Sequence, residues 1–154
     1  MTKHEELAHE LHRQGYSCAQ AVAAAFSDRA GLDRATLLKL TAGFGGGIAG
    51  LREICGAVSG AMMALDLIYA EGAPNKQARS QNDYPRLQAL AGNFKALNGS
   101  IICRELLARA SVDPQTAAPG GDPEARTPEY YKKRPCPQLA WQAARILDEL
   151  LERD

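Results

Sequence analysis

The sequence has little of what several common classes of protein require. Its 18 Lys and Arg residues balance 18 Asp and Glu residues, so no net positive field attracts nucleic acid or an anionic membrane. Aromatic residues make up 6% of the chain, which leaves few rings on which bases could stack. No apolar run approaches the roughly 20 residues of a membrane helix, and the charged N-terminus lacks the apolar region of a secretory signal. We therefore expect a cytoplasmic protein with no nucleic-acid and no membrane partner.

Strand signals are also nearly absent from the sequence. Alternation of apolar and polar residues does not persist over a useful length, whereas the good helix formers Ala, Leu, Glu, Arg and Gln dominate. A chain of 154 residues suits one hydrophobic core, and no internal repeat or linker divides it. We predict a single domain over residues 1–154 with an all-α fold, a compact bundle of about six to seven helices.

Apolar spacing and capping residues place these helices along the chain. The predicted helices cover approximately residues 3–14, 18–29, 33–42 including the cap Asp33, 52–71, 75–97, 101–110 and 136–152. The helix over 52–71 is the most apolar and is expected at the centre, directly after a glycine-rich loop over 43–50. A bend is expected at Pro85. Residues 112–135 include five prolines and are expected to form a loop that covers Cys136.

Cysteine is the residue type to which the sequence most clearly gives a chemical role. The four cysteines are Cys18, Cys55, Cys103 and Cys136. They contain no Cys-x-x-Cys pair, and two structural disulfides are not expected in a reducing cytoplasm. Each lies in the first turn or so of a predicted helix, where free N–H groups and partial positive charge lower a thiol pKa. We expect them to converge in space, although each alone could be a buried small hydrophobic residue.

Four thiolates at helix starts suit an anionic centre such as a cysteine-ligated iron–sulfur cluster. All four cysteines are therefore predicted as metal ligands and as the residues that carry the redox chemistry. Small residues around such a centre would let the backbone approach it closely. The glycines predicted to lie against a cofactor are Gly45, Gly46, Gly47, Gly56 and Gly60.

One short motif carries a resemblance to a known family. The segment Cys55-Gly56-Ala57-Val58-Ser59-Gly60 fits the pattern Cys-Gly-Ala-x-x-Gly. With single cysteines at 18, 103 and 136, the chain resembles the C_GCAxxG_C_C family of redox-active bacterial and archaeal proteins. The similarity extends to the glycine-rich residues 42–47 and to residues 99–107. The resemblance implies a redox role in broad terms and no particular substrate.

Three functions remain open at this point. The first is electron transfer through a metal or iron–sulfur centre, for example a 2Fe-2S cluster, held by the four cysteines. The second is a thiol–disulfide oxidoreductase with Cys55 as nucleophile and another cysteine to resolve the intermediate. The third is a module in which the cysteines hold zinc structurally. The expected partner is a redox protein or a small thiol or disulfide substrate, and a homodimer is an open alternative to a monomer.

Three further signals receive a plainer interpretation. Residues 45–50 match G-x-G-x-x-G, but a helix and not a strand precedes them, so we do not expect a dinucleotide site. His9 and His12 are interpreted as part of a solvated helix face. Arg52, three residues before Cys55, could stabilise a thiolate, but a surface ion pair with Glu53 or another acid is the plainer interpretation.

Overall fold

The computed structural model describes residues 1–120, 127, 129 and 134–152, and within these residues the regular structure is helical. The helices are α1 (Lys3–Arg13), α2 (Cys18–Ala25), α3 (Ser27–Ala30), α4 (Arg34–Leu40), α5 (Gly56–Tyr69), α6 (Lys76–Ala78), α7 (Tyr84–Asn98), α8 (Cys103–Arg109) and α9 (Cys136–Glu152). The predicted all-α fold is confirmed. No helix in the described ranges is long and apolar enough to span a bilayer.

Polar capping residues set several helix starts where the sequence predicted them. Thr2 and Ser17 each form a capping box, with Glu5 and Gln20 respectively. Asp33 caps α4 through its side chain. These side chains satisfy N–H groups that have no partner within the helix, so local sequence alone determines where α1, α2 and α4 begin.

The predicted helices over 52–71 and 101–110 begin later than expected, for one shared reason. Ile54 and Ile102 pair as an isolated antiparallel β-bridge. On either side of it, the N–H groups of Cys55 and Cys103 donate to the opposite segment at 2.8 and 2.6 Å. Because the bridge holds both segments extended, α5 starts immediately after Cys55 and α8 starts at Cys103.

Two other predicted helices are interrupted. The helix predicted over 18–29 divides at Phe26 into α2 and α3. The helix predicted over 75–97 contains a π-helical turn, Arg79–Asp83, immediately before α7. Pro85 lies in the first turn of α7, and a proline both lacks an N–H and crowds the preceding turn. The expected irregularity at Pro85 thus takes the form of a widened turn.

Helix α5 lies in the main core, as its composition predicted. Its residues Ala57, Val58 and Ala61 are fully buried and belong to the larger hydrophobic cluster, together with residues of α2, α7 and α9. Gly60 brings the backbones of α5 and α2 together, because a Cβ at this position would lie 2.9 Å from the Cα of Ala19. This close contact fixes the start of α2 beside the start of α5.

Glu5 supplies a buried charge that links α1 to α9. It is 1% exposed, and its carboxylate accepts hydrogen bonds from Arg145 Nε at 2.6 Å and from the Thr2 N–H at 2.7 Å. Burial acts to raise the pKa of Glu5, but these hydrogen bonds and the charge of Arg145 outweigh it and lower the pKa overall. The ionised carboxylate therefore stabilises the fold at neutral pH, and this contribution is lost as the pH falls through the folded-state pKa.

We expect Glu5→Gln to lower the free energy of unfolding by about 1–2 kcal/mol at pH 7. The loss should shrink near pH 3.5, where the wild-type carboxylate is largely protonated in the unfolded chain. Urea denaturation at both pH values measures this, with the exposed Glu10 changed to Gln as the control. An equal loss at both pH values would show that the charge of Glu5 does not matter.

Candidate functional site

All four cysteines line one cavity of about 290 Å³. Cys18 is the first residue of α2, Cys55 is the N-cap of α5, and Cys103 and Cys136 are the first residues of α8 and α9. The structure thus brings together cysteines that are far apart in sequence, and each one stands at the start of a different helix.

The cysteines form two kinds of contact at the cavity. Cys18 lies beside Cys136: its thiol donates to the Cys136 backbone oxygen at 3.6 Å, and the Cys136 side chain is close enough to raise its pKa. Cys103 lies beside Arg52, whose Nη1 donates to Cys103 Sγ at 3.9 Å. All four cysteines are free thiols, so the site contains a thiol pair and a thiol that faces a cation.

Burial at the cavity raises thiol pKa values where the helix starts were expected to lower them. The hydrogen bond with Cys136, followed by burial, raises the pKa of Cys18 well above its ordinary value. Burial and the charge of Cys136 raise the pKa of Cys55 to about 12, although two backbone N–H groups of α5 oppose this. Burial also raises the pKa of Cys103, against the effect of Arg52. Desolvation and mutual repulsion therefore outweigh the helix N-termini.

The predicted cofactor-binding glycines divide into two groups. Gly45, Gly46, Gly47 and Gly56 line the cavity with the cysteines. Gly60 is not among the lining residues, because it lies one turn further along α5 and faces the backbone of α2. For Gly60 the structure indicates a role in helix packing.

The glycine-rich loop before α5 follows a left-handed path. The consecutive residues with positive φ are Gly46, Gly47, Ile48, Ala49 and Gly50, with φ between 49° and 75°. Non-glycine residues in this region cost roughly 1–2 kcal/mol each. Hydrogen bonds from the Arg52 and Glu53 amides to the Gly46 and Gly47 carbonyls, at 3.0 and 2.8 Å, hold the loop in this form. The loop therefore presents bare backbone to the cavity.

His12 lies in the cavity and not on the solvated helix face where it was expected. It is 2% exposed and lines the cavity, so the interpretation of a solvated His9 and His12 face is wrong for His12. The signal was present in α1, because His12 follows the buried Ala8 by four residues and Leu11 by one. These positions share the apolar stripe of the helix.

Arg52 also differs from its sequence interpretation. Glu53 pairs with Arg104, whose Nη1 lies 3.0 Å from Glu53 Oε2, while Arg52 turns to the cavity. Arg134 is 8% exposed and lines the same cavity. Two guanidinium groups therefore stand among four thiols.

Two described residues of the proline-rich segment 112–135 contact the glycine-rich loop and the nearby Arg52. The Gly120 N–H donates to the Gly50 carbonyl at 2.9 Å, and the Thr116 carbonyl accepts from Arg52 Nη2 at 3.1 Å. Residues 121–126, 128 and 130–133, which include part of the loop predicted to cover Cys136, lie outside the described residues.

We expect the state of the cysteine site to control how fast the backbone amides of this segment exchange hydrogen. The link is Arg52, which contacts both Cys103 and Thr116. Binding a metal to Cys103 should change the hydrogen exchange of the Gly120 amide, because the contacts of Arg52 must change with the charge on the sulfur. Exchange measured by mass spectrometry on the metal-free and metal-loaded protein tests this, with peptides from α7 as the control. Identical exchange around Gly120 in both states would show a passive connection.

The described side chains of the cavity are not spaced around a single metal ion. A tetrahedral zinc site holds its sulfurs about 2.3 Å from a single metal. Within the described ranges, no three Cys, His, Asp or Glu side chains are spaced to hold one metal ion. The donor set of four thiols around about 290 Å³ is instead compatible with a thiolate-bound centre of several atoms, for which Cys18, Cys55, Cys103 and Cys136 would be the ligands.

Comparison with known proteins identifies the family. The model of the family described as "Putative redox-active protein (C_GCAxxG_C_C)" matches residues 16–150. No curated protein and no solved structure matches the chain. The matched range begins just before Cys18 and contains all four cysteines of the cavity. Because the match covers most of the chain, the protein belongs to the C_GCAxxG_C_C family.

Proposed function

We propose that this is a redox protein whose four cysteines hold an iron–sulfur centre and that it exchanges electrons with a partner protein. The observation that carries the proposal is the convergence of four thiols, each from the start of a different helix, on one cavity. Cysteine thiolates are the usual protein ligands of such clusters. When bound, the centre would supply reversible one-electron transfer.

The electrostatics of the thiols support a bound centre over free thiolates. Burial and neighbouring sulfurs raise the pKa values of Cys18, Cys55 and Cys103, so these thiols keep their protons in the metal-free protein. A metal cation removes this penalty, because it neutralises the thiolates that otherwise repel one another. The helix N-termini and the guanidinium of Arg52 would then stabilise the negative charge that remains on the sulfurs.

Anaerobic purification tests the proposal directly. We expect a coloured protein with visible absorption, and iron and acid-labile sulfide in equal amounts. Changing any one of Cys18, Cys55, Cys103 or Cys136 to Ser should remove or strongly reduce the absorption. Leu97→Ser is the matched control, because Leu97 is 63% exposed on α7. Colourless protein without iron, both as purified and after anaerobic reconstitution with iron and sulfide, would overturn the proposal.

Metal analysis also distinguishes the structural alternative. One zinc per chain in a colourless protein, with a folded state that a chelator destroys, would identify a structural zinc module. That result would require the thiols to close onto a single ion, a spacing that the described residues do not have.

A second candidate function follows from the contact between Cys18 and Cys136. In the metal-free protein this pair could reduce a small disulfide. One thiolate attacks the disulfide and releases the first thiol, and the second cysteine then attacks the mixed disulfide and releases the other. The pair loses two protons and two electrons, and the external disulfide gains them. The raised pKa values of Cys18 and Cys55 disfavour both as the first nucleophile. In this candidate Cys136 therefore attacks the external disulfide, and Cys18 resolves the mixed disulfide.

Oxidation of the metal-free protein with glutathione disulfide tests this candidate. Peptide mapping should then find Cys18 linked to Cys136, and Cys55→Ser should leave that link intact. A different pairing, or stable mixed disulfides at every cysteine, would exclude Cys18 and Cys136 as the redox pair.

A further inference from the structure

The wall of the cavity near Cys103 carries positive charge. The lining includes Arg52 and Arg134, and the described lining residues include no Asp or Glu. Arg134 is 8% exposed, and its charge acts on Cys103 together with that of Arg52. A charge that is removed from water is stabilised by opposite charge, and its field is stronger than it would be at the surface.

The backbone of Arg52 adopts a left-handed conformation that its neighbours hold in place. Its backbone has φ 61°, which a non-glycine residue adopts only when its surroundings impose it. Gly47 packs against it so closely that an added Cβ would lie 2.7 Å from Arg52 Cα and 2.6 Å from Cys103 Cβ. The Arg52 side chain is thereby held over Cys103, where Nη1 and Nη2 donate to Cys103 Sγ and to the Thr116 carbonyl.

One nitrogen of Arg52 lacks a partner among the described residues. Its Nε is buried without a hydrogen bond to any of them, whereas buried N–H groups in folded proteins are nearly always paired. Bare backbone from Gly46 and Gly47 lines the same cavity, so no side chain of the loop occupies the space beside the guanidinium. An anion in this cavity would be stabilised by the guanidinium of Arg52, and no Asp or Glu among the described lining residues would compete for it.

We propose that Arg52 makes the Cys103 wall an anion-selective site, so that the cavity takes small anionic sulfur-containing ligands in preference to neutral or cationic ones. Negative charge and sulfur are common to two such ligands: an anionic iron–sulfur cluster, and a small disulfide or thiol that carries carboxylates. Arg52 is the specificity-determining residue of this site. The inference concerns the metal-free cavity and does not depend on which of these ligands is physiological.

Paired alkylation of the reduced, metal-free protein tests the proposal. Iodoacetate is an anion and iodoacetamide is neutral, and both react with the same thiolate. The ratio of their rates at Cys103, read by mass spectrometry, therefore cancels the thiolate fraction and reports the local charge. We expect Arg52→Gln to lower this ratio by about fivefold, and Arg52→Lys to restore most of it.

Arg29→Gln is the matched control, because Arg29 is exposed on α3 and is not among the cavity-lining residues. Helical circular dichroism of each variant shows whether the fold survives. A ratio unchanged in Arg52→Gln, an equal fall in Arg29→Gln, or failure of both reagents to reach Cys103 in the folded protein would overturn the proposal. Selectivity in a protein that never binds iron would favour a small anionic thiol or disulfide as the ligand, whereas selectivity together with a coloured protein would favour the cluster.

Discussion

In reduced, metal-free protein at neutral pH, Cys55 is expected to react with iodoacetamide about a thousandfold more slowly than an exposed cysteine. Burial and the neighbouring Cys136 raise the pKa of Cys55 to about 12, which leaves very little of the reactive thiolate. The side chain is also 5% exposed. Cys103 should react earlier, because the guanidinium of Arg52 opposes the effect of burial on its pKa.

Pulsed alkylation followed by peptide mass spectrometry gives the order of labelling. Raising the pH from 7 to 9 should increase the Cys55 rate about tenfold per pH unit, because its pKa lies above this whole range. Protein unfolded in guanidinium chloride is the control, since all four cysteines should then react at similar rates. If Cys55 were labelled first in the folded protein, this prediction would be wrong and Cys55 would again be the preferred nucleophile.

Local sequence was sufficient to predict most of the helices. Thr2, Ser17 and Asp33 cap α1, α2 and α4 because a short polar side chain satisfies nearby N–H groups whatever the rest of the chain does. The same local reasoning placed the cysteines near helix starts. It misplaced the starts of α5 and α8 because the Ile54 and Ile102 bridge is a contact between distant segments, which propensity does not encode.

The pKa values and side-chain partners of the site residues depend on distant parts of the chain more than the helices do. The position of Cys18 at a helix start is local, but its raised pKa arises mainly from Cys136 at the other end of the chain. A helix start lowers a thiol pKa where the thiol meets water, whereas several buried thiols in one cavity raise it in one another. Likewise, Arg52 and Glu53 are neighbours in sequence, yet the left-handed backbone at Arg52 directs their side chains to different partners.

Gly60→Ala is expected to lower the free energy of unfolding by about 3 kcal/mol. Gly60 is helical and fully enclosed, and a methyl group there would lie 2.5 Å from the Ala19 carbonyl oxygen and 2.9 Å from its Cα. Both atoms belong to the backbone of α2, so no side chain can rotate to make room. Helices α2 and α5 must separate, and this displaces Cys18 and Cys55, which stand at their starts.

Gly92→Ala is the control that separates this contact from helix propensity. Gly92 also lies within a helix, α7, but nothing stands within 4 Å of an added Cβ. The same substitution there should raise the free energy of unfolding by about 0.5–1 kcal/mol, because alanine is the better helix former. Urea denaturation of both variants measures the two effects with opposite signs. A stable Gly60→Ala protein with unchanged alkylation of Cys18 and Cys55 would show that close packing of α2 on α5 is not what holds the cysteines together.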